Sequence, residues 1–186
     1  MPRQKVSREF ILHQSLKIFR QKSFYNTTTS DIAAACGLQK GSLYHYFPSK
    51  EAIMIEVINY VHDFFSKEIF VHAYNEKLGA KQRLEYIIDL TEDIFIGPDG
   101  GDVMGNIGVE TARVVPEFAA PIRSFFIDWK NALSFIFKSE YDEEIAAEYA
   151  EQSVAEIEGS ILMMRIFNDP EILKRTHTRV LKKLKK

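Results

Sequence analysis

The 186-residue chain is 46% hydrophobic and 27% charged, a balance that excludes bulk disorder in a length sufficient for a helical body and a small second domain. It has no run of about 18 apolar residues and a single cysteine, Cys36, which excludes a membrane-spanning helix, an internal disulfide and any multi-thiolate metal site. Net charge is only −2, yet residues 1–50 hold eight Lys or Arg against Glu9 and Asp31, so a basic head precedes an acidic body, a polarity that suits one phosphate-facing end as well as it suits solvated surface charge.

Every long segment shows helical rather than alternating periodicity, which predicts an all-α fold. The first helix is expected over 6–22, with Leu12, Leu16 and Phe19 on one face and Phe24 and Tyr25 closing it. The run Asn26 to Ser30 is rich in side-chain oxygens that cap helices, so a short helix from Ser30 to Cys36 follows, stopped by Gly37. A third short helix over 40–46 ends at Phe47-Pro48, and Ser49 caps a long fourth helix over 50–74. Further helices are expected at 80–96, 103–113, 117–138, 142–167 and 170–184, separated by Gly97-Pro98-Asp99-Gly100-Gly101, Pro116, Asp142 and Asn168-Asp169-Pro170. The N-terminal MPRQKVSREF lacks a signal-peptide stretch, so a cytoplasmic location with no membrane partner is expected.

The segment Thr28 to Lys50 carries the functional signal. A helix-turn-helix needs two short helices to cross closely around a tight turn, which constrains positions by size. Ala33 is small at the approach, Gly37 takes the left-handed turn, and Ile32, Cys36, Leu38 and Leu43 are spaced to fill the wedge. Gln39, Lys40, Ser42 and His45 then project outward. Gln pairs with adenine, Lys reaches the acceptors of guanine, and Ser, His and Tyr donate to bases or phosphates. Gly41 lets the backbone approach a duplex, and Lys50 with the first amides of the fourth helix offers a phosphate clamp. An ordinary pair of core helices joined by a glycine turn is equally compatible with the small-residue spacing alone.

The run Ile32-Ala33-Ala34-Ala35-Cys36-Gly37-Leu38-Gln39-Lys40-Gly41-Ser42-Leu43-Tyr44-His45-Tyr46-Phe47-Pro48-Ser49-Lys50-Glu51-Ala52 resembles the N-terminal signature of the tetracycline-repressor (TetR) family, as do Leu16, Phe19 and Thr27-Thr28 before it. The resemblance covers about fifty contiguous residues. It implies that Gln39, Lys40, Gly41, Ser42 and His45 face bases and nearby backbone in the major groove of a double-stranded operator. Thr28, Tyr44 and Lys50 would grip phosphates, while Leu38, Leu43, Tyr46 and Phe47 would be structural. It further implies a homodimer, a helix-turn-helix DNA-binding domain at 1–48 and a helical ligand-binding and dimerisation domain at 49–186. On this reading the protein is a transcriptional regulator, a repressor released from a palindromic operator by a small apolar effector, with no cofactor or metal and no enzymatic role. No catalytic constellation or phosphate loop competes with it, and His62 and His72 lie about 80° apart around a helix, poorly placed as joint metal ligands.

In the body, residues 117–138 place Phe118, Ile122, Phe125, Trp129, Leu133 and Ile136 on one stripe. Such aromatic density is either plain core or the wall of an apolar pocket, for which Tyr86, Phe95, Met104, Phe125, Trp129 and Met163 are the candidates. Residues 139–164 contain eight acidic side chains and no Lys or Arg, whereas 171–186 carry seven basic ones against Glu171. These two helices pair within one chain, across a two-fold axis, or both.

Overall fold

The computed structural model describes residues 6–97, 101–111 and 114–185. Over these it forms nine α-helices and no strand: α1 (Arg8–Lys22), α2 (Thr29–Ala35), α3 (Lys40–Tyr44), α4 (Lys50–Glu68), α5 (Ala80–Ile96), α6 (Val103–Thr111), α7 (Pro116–Phe137), α8 (Glu143–Phe167) and α9 (Glu171–Leu181), with a 3-10 helix at Phe70–Tyr74. Pro98 to Gly100 of the expected stop, the expected helix end at 112–113, and Arg3, Lys5 and Lys186 lie outside the described residues. The helices group into two compact units, one of residues 1–62 with 103–122, the other of 63–102 with 123–186.

In the first unit, Ser7 caps α1 by accepting from Phe10 N–H at 3.0 Å, and Ile11, Leu12, Ser15, Leu16 and Phe19 form its buried face. Thr28 and Asp31 close a capping box on α2: Asp31 N–H donates to Thr28 Oγ1 at 3.1 Å and Thr28 N–H to Asp31 Oδ2 at 2.8 Å. At the other end Gly37, at φ 64°, completes a Schellman turn, with Leu38 N–H donating to Ala33 O at 2.8 Å and Gly37 N–H to Ala34 O at 3.0 Å. Ser49 caps α4 as expected, accepting from Ala52 N–H at 3.1 Å. Phe24, Leu43, Phe47, Ile53, Met54, Val57 and Phe118 fill the core.

The long fourth helix expected to Tyr74 stops at Glu68 and tightens into the 3-10 segment. Ile69, Phe70 and Ala73 are buried in this tightened segment, and Arg83 of α5 donates to the carbonyl of Ala73 at 2.7 Å. Pro116 opens α7 rather than ending its predecessor, since a first-turn position needs no amide. Asn168 adopts a left-handed conformation at the end of α8, and Asp169 begins α9 by accepting from Glu171 N–H at 3.0 Å.

The second unit is built on an aromatic cluster. Phe65 lies 5.7 Å from Phe70, 6.3 Å from Phe95 and 5.2 Å from Phe125, and Trp129 stacks at 6.5 Å from Phe70, 6.4 Å from Phe95 and 6.3 Å from Phe126. The acidic α8 and basic α9 do pair within the chain: Arg179 Nε of α9 lies 3.9 Å from Glu156 of α8, and Lys183, just past α9, donates to Glu156 at 2.8 Å and to Ser153 at 3.2 Å.

Candidate nucleic-acid interface

The short helix α3 stays folded because its one inward side chain is fully buried. Leu43 has no exposed surface and Phe47 follows it into the core, so the other side chains of this five-residue helix are turned outward. Gln39, Lys40, Gly41, Tyr44 and His45 are exposed and Ser42 is half-buried. Gln39 stands at the N-cap without using its side chain there, which leaves the amide available. At Gly41 a Cβ would meet no atom within 4 Å, so the backbone itself is presented. Leu38 and Tyr46 are half-buried, and Tyr46 OH donates to Val6 O at 2.9 Å. Arg8, which the sequence reading did not single out, pins this region by donating to Tyr46 O at 2.5 Å and Glu56 at 2.7 Å with its guanidinium 4.0 Å from the Phe47 ring centroid.

Two of the three residues expected at phosphates are engaged internally. Lys50 is half-buried, and two of its three N–H donors go to Phe24 O at 2.8 Å and Thr27 O at 2.9 Å, with the ammonium 4.2 Å from the Phe24 ring centroid. One donor remains rather than a free ammonium. Thr28 spends its hydroxyl proton on Asp31 at 2.6 Å while accepting from the Asp31 amide. Lys22, 2.8 Å from Asp31, is the main cause that holds the Asp31 carboxyl well below the usual carboxylate range, with Thr28 next. Tyr44 is exposed, its hydroxyl 3.5 Å from Thr29 Oγ1.

Of the six pocket candidates, Phe95, Phe125 and Trp129 meet in the aromatic cluster. Phe65, Phe70 and Phe126 join them. The spacing Met54, Ile58, Val61, Phe65, Ile69 along the chain was the signal that would have found Phe65. Tyr86 is corrected outward: α5 buries Leu84, Ile87, Ile88, Thr91 and Phe95, which turns Tyr86 to solvent at 45% exposure against His72. Met163 is likewise 43% exposed, because Ser160, Ile161 and Met164 form the inward face of α8. Met104 is buried on α6, in the other unit. A cavity of about 260 Å³ opens beside Phe95, lined also by Met164, Arg165 and Asn168.

The second unit also holds a buried acid missed in the sequence. Burial, and secondarily the neighbouring Asp102 carboxylate that shares a hydrogen bond with it, pushes the Glu158 carboxyl up to about 9, so it is neutral at physiological pH. Among the described residues no group of three His, Cys, Asp or Glu is arranged to hold a metal ion, and no helix is long and apolar enough to cross a membrane.

Residues 11–57 match the model of bacterial regulatory proteins of the tetR family, and residues 82–179 match that of the C-terminal domain of LmrA/YxaF-like transcriptional regulators. The chain is 26% identical over 161 residues to the HTH-type transcriptional regulator YxaF of Bacillus subtilis, covering 84% of each protein. The HTH-type regulator YuxN of the same organism is 41% identical over 88 residues, which span 47% of this chain and 29% of that protein. In fold, the chain is similar to the crystal structure of a TetR transcriptional regulator from Legionella pneumophila, with a TM-score of 0.88 at 20% identity over the whole of both chains.

Proposed function

The chain belongs to the TetR family of bacterial transcriptional regulators, and from that premise we propose that it is a repressor whose homodimer sets one α3 of each copy into successive major grooves of a palindromic operator. The observation that carries this reading is the exposure of Gln39, Lys40, Gly41 and His45 on a helix seated by the fully buried Leu43. Gln39, Lys40, Ser42 and His45 read base edges, Gly41 allows close approach, and Tyr44, Thr28 and the remaining donor of Lys50 meet the phosphates. Dimerisation uses α8, where Leu162, Met163, Ile166 and Phe167 form an exposed apolar patch that a second copy covers.

The effector is a small apolar molecule received at the Phe95, Phe125 and Trp129 cluster. It lowers operator affinity by altering the spacing of the two heads, because half-sites one helical turn apart, about 34 Å, tolerate little displacement. The test begins with a duplex selected by the protein from a randomised pool. Gln39→Ala and Lys40→Ala are expected to weaken binding and relax base preference, with Lys40→Ala also reducing the salt dependence. Unchanged affinity in both variants refutes the assignment of α3. For the effector, Trp129 is the single tryptophan, so a panel of apolar aromatic compounds is scored by its fluorescence and by release of the duplex; fluorescence change without release refutes the switch.

A further inference from the structure

The turn from α1 into α2, residues 23–27, is gripped at both ends of its peptide groups. Glu110, on α6, accepts from Phe24 N–H at 3.0 Å and from Tyr25 N–H at 2.8 Å. Lys50, in the first turn of α4, donates to the carbonyls of Phe24 and Thr27. An anion therefore holds the amide side of the turn and a cation its carbonyl side, with charge-assisted bonds on both. Between them the Phe24 ring is buried, with Phe118 edge-on at 5.1 Å and Phe19 at 6.1 Å. Thr27 is buried as well, its hydroxyl donating to Ser23 O at 2.6 Å.

This turn is strained. Ser23 sits at φ 65°, ψ 175°, a region almost confined to glycine that other residues keep only where the surroundings over-determine it. The two amides that Glu110 takes lie in the loop between α1 and α2, where water can serve as partner: the Phe24 bond is half-buried and the Tyr25 bond exposed. A cavity of about 390 Å³ lined by Phe19, Arg20, Ser23, Asn106, Ile107 and Glu110 adjoins the carboxylate, so close packing does not fix its place. Its hydrogen bonds are spent on where the backbone goes.

We propose that Glu110 is a positioning residue for DNA recognition: by holding the amides of Phe24 and Tyr25 it sets the turn that leads from the strained end of α1 into α2, and with it the pose of α3. The step from α2 to α3 is short and doubly bonded through Gly37 and Leu38, so a shift at the start of α2 is passed on to the recognition side chains. The proposal rests on the reading of α3 as the helix that enters the groove.

The test is Glu110→Gln, which keeps the shape but offers one acceptor to two amides. Using a duplex selected by the parent protein from a randomised pool, Kd is expected to rise about tenfold, the loss of one charge-assisted bond. The slope of log Kd against log salt should stay unchanged, since no phosphate contact is removed, and helical circular dichroism should be retained. Glu110→Asp, which keeps the charge one methylene short, should fall between parent and Glu110→Gln. A Kd within twofold of the parent overturns the proposal, as does a change in salt slope of about one. In the parent itself, amide exchange read by NMR should show Phe24 and Tyr25 protected at least tenfold over Asn26; equal protection overturns the clamp even if Glu110→Gln does not fold. Failure of the parent to select any duplex sinks the DNA reading instead.

Discussion

Replacing Gly37 separates backbone conformation from packing. The residue sits at φ 64°, and no heavy atom lies within 4 Å of the place its Cβ would take, so an added side chain meets open space. The cost of substitution is then the left-handed backbone alone, about 1–2 kcal/mol for Gly37→Ala. Asn tolerates that region through local hydrogen bonding, so Gly37→Asn should cost under about 1 kcal/mol, whereas the branched Gly37→Val should exceed about 2 kcal/mol. The graded loss should appear in denaturant titrations followed by far-ultraviolet circular dichroism, as falling midpoints at constant slope. DNA affinity should fall in the same order, because the Schellman bonds that fix α3 against α2 pass through this residue. Equal destabilisation by Ala and Asn would refute the backbone argument, and an unaffected Gly37→Val would mean that the turn is not left-handed in solution.

Three further outcomes are expected. Leu43→Ala removes the one fully buried side chain of α3 and should cost about 2–5 kcal/mol along with duplex binding; a variant that still binds would show that α3 is held by something else. Glu158 titrates near 4.5 when unfolded but up to about 9 when folded, so between those values the unfolded chain binds fewer protons and stability falls as pH rises. Glu158→Gln, which mimics the neutral acid, should flatten that slope and stabilise at pH 8 by roughly a few kcal/mol; unchanged pH dependence counts against a neutral buried carboxyl. His177 behaves oppositely. It is buried 2.9 Å from Glu92 on α5, and burial depresses it below 6.5 despite that partner. Stability is therefore full above 6.5 and lost as pH falls through the lower folded value. Because Glu158 acts equally in both proteins, the His177 contribution is read as a difference: from pH 7 to pH 5 the thermal midpoint of the parent should fall relative to that of His177→Gln, and a constant difference refutes it.

Much of the head was legible because its determinants are local. A cap needs a side-chain oxygen within three residues of the amide it serves, as at Thr28 and Ser49, and a left-handed stop needs a residue such as Gly37 at one position. The helical periods also carried the buried faces of α1 and the core stripe of α7. The pocket candidates fared unevenly for the same reason in reverse: Tyr86 and Met163 are apolar enough to be chosen, but one residue of phase on a helix is about 100°, and only the packing of α5 and α8 decided which side turned inward.

By itself, the sequence determined an all-helical chain, the helix-turn-helix and its outward residues, and the family to which it belongs, since each rests on spacings of a few residues. Tertiary structure alone decided how charges separated by dozens of positions are used. Lys50 serves carbonyls 23 and 26 residues away, Glu110 serves amides 85 and 86 residues away, and Glu158 becomes neutral beside Asp102. An ionisable side chain takes its role from whatever dielectric and partners surround it, and those are supplied by segments that no local pattern brings together.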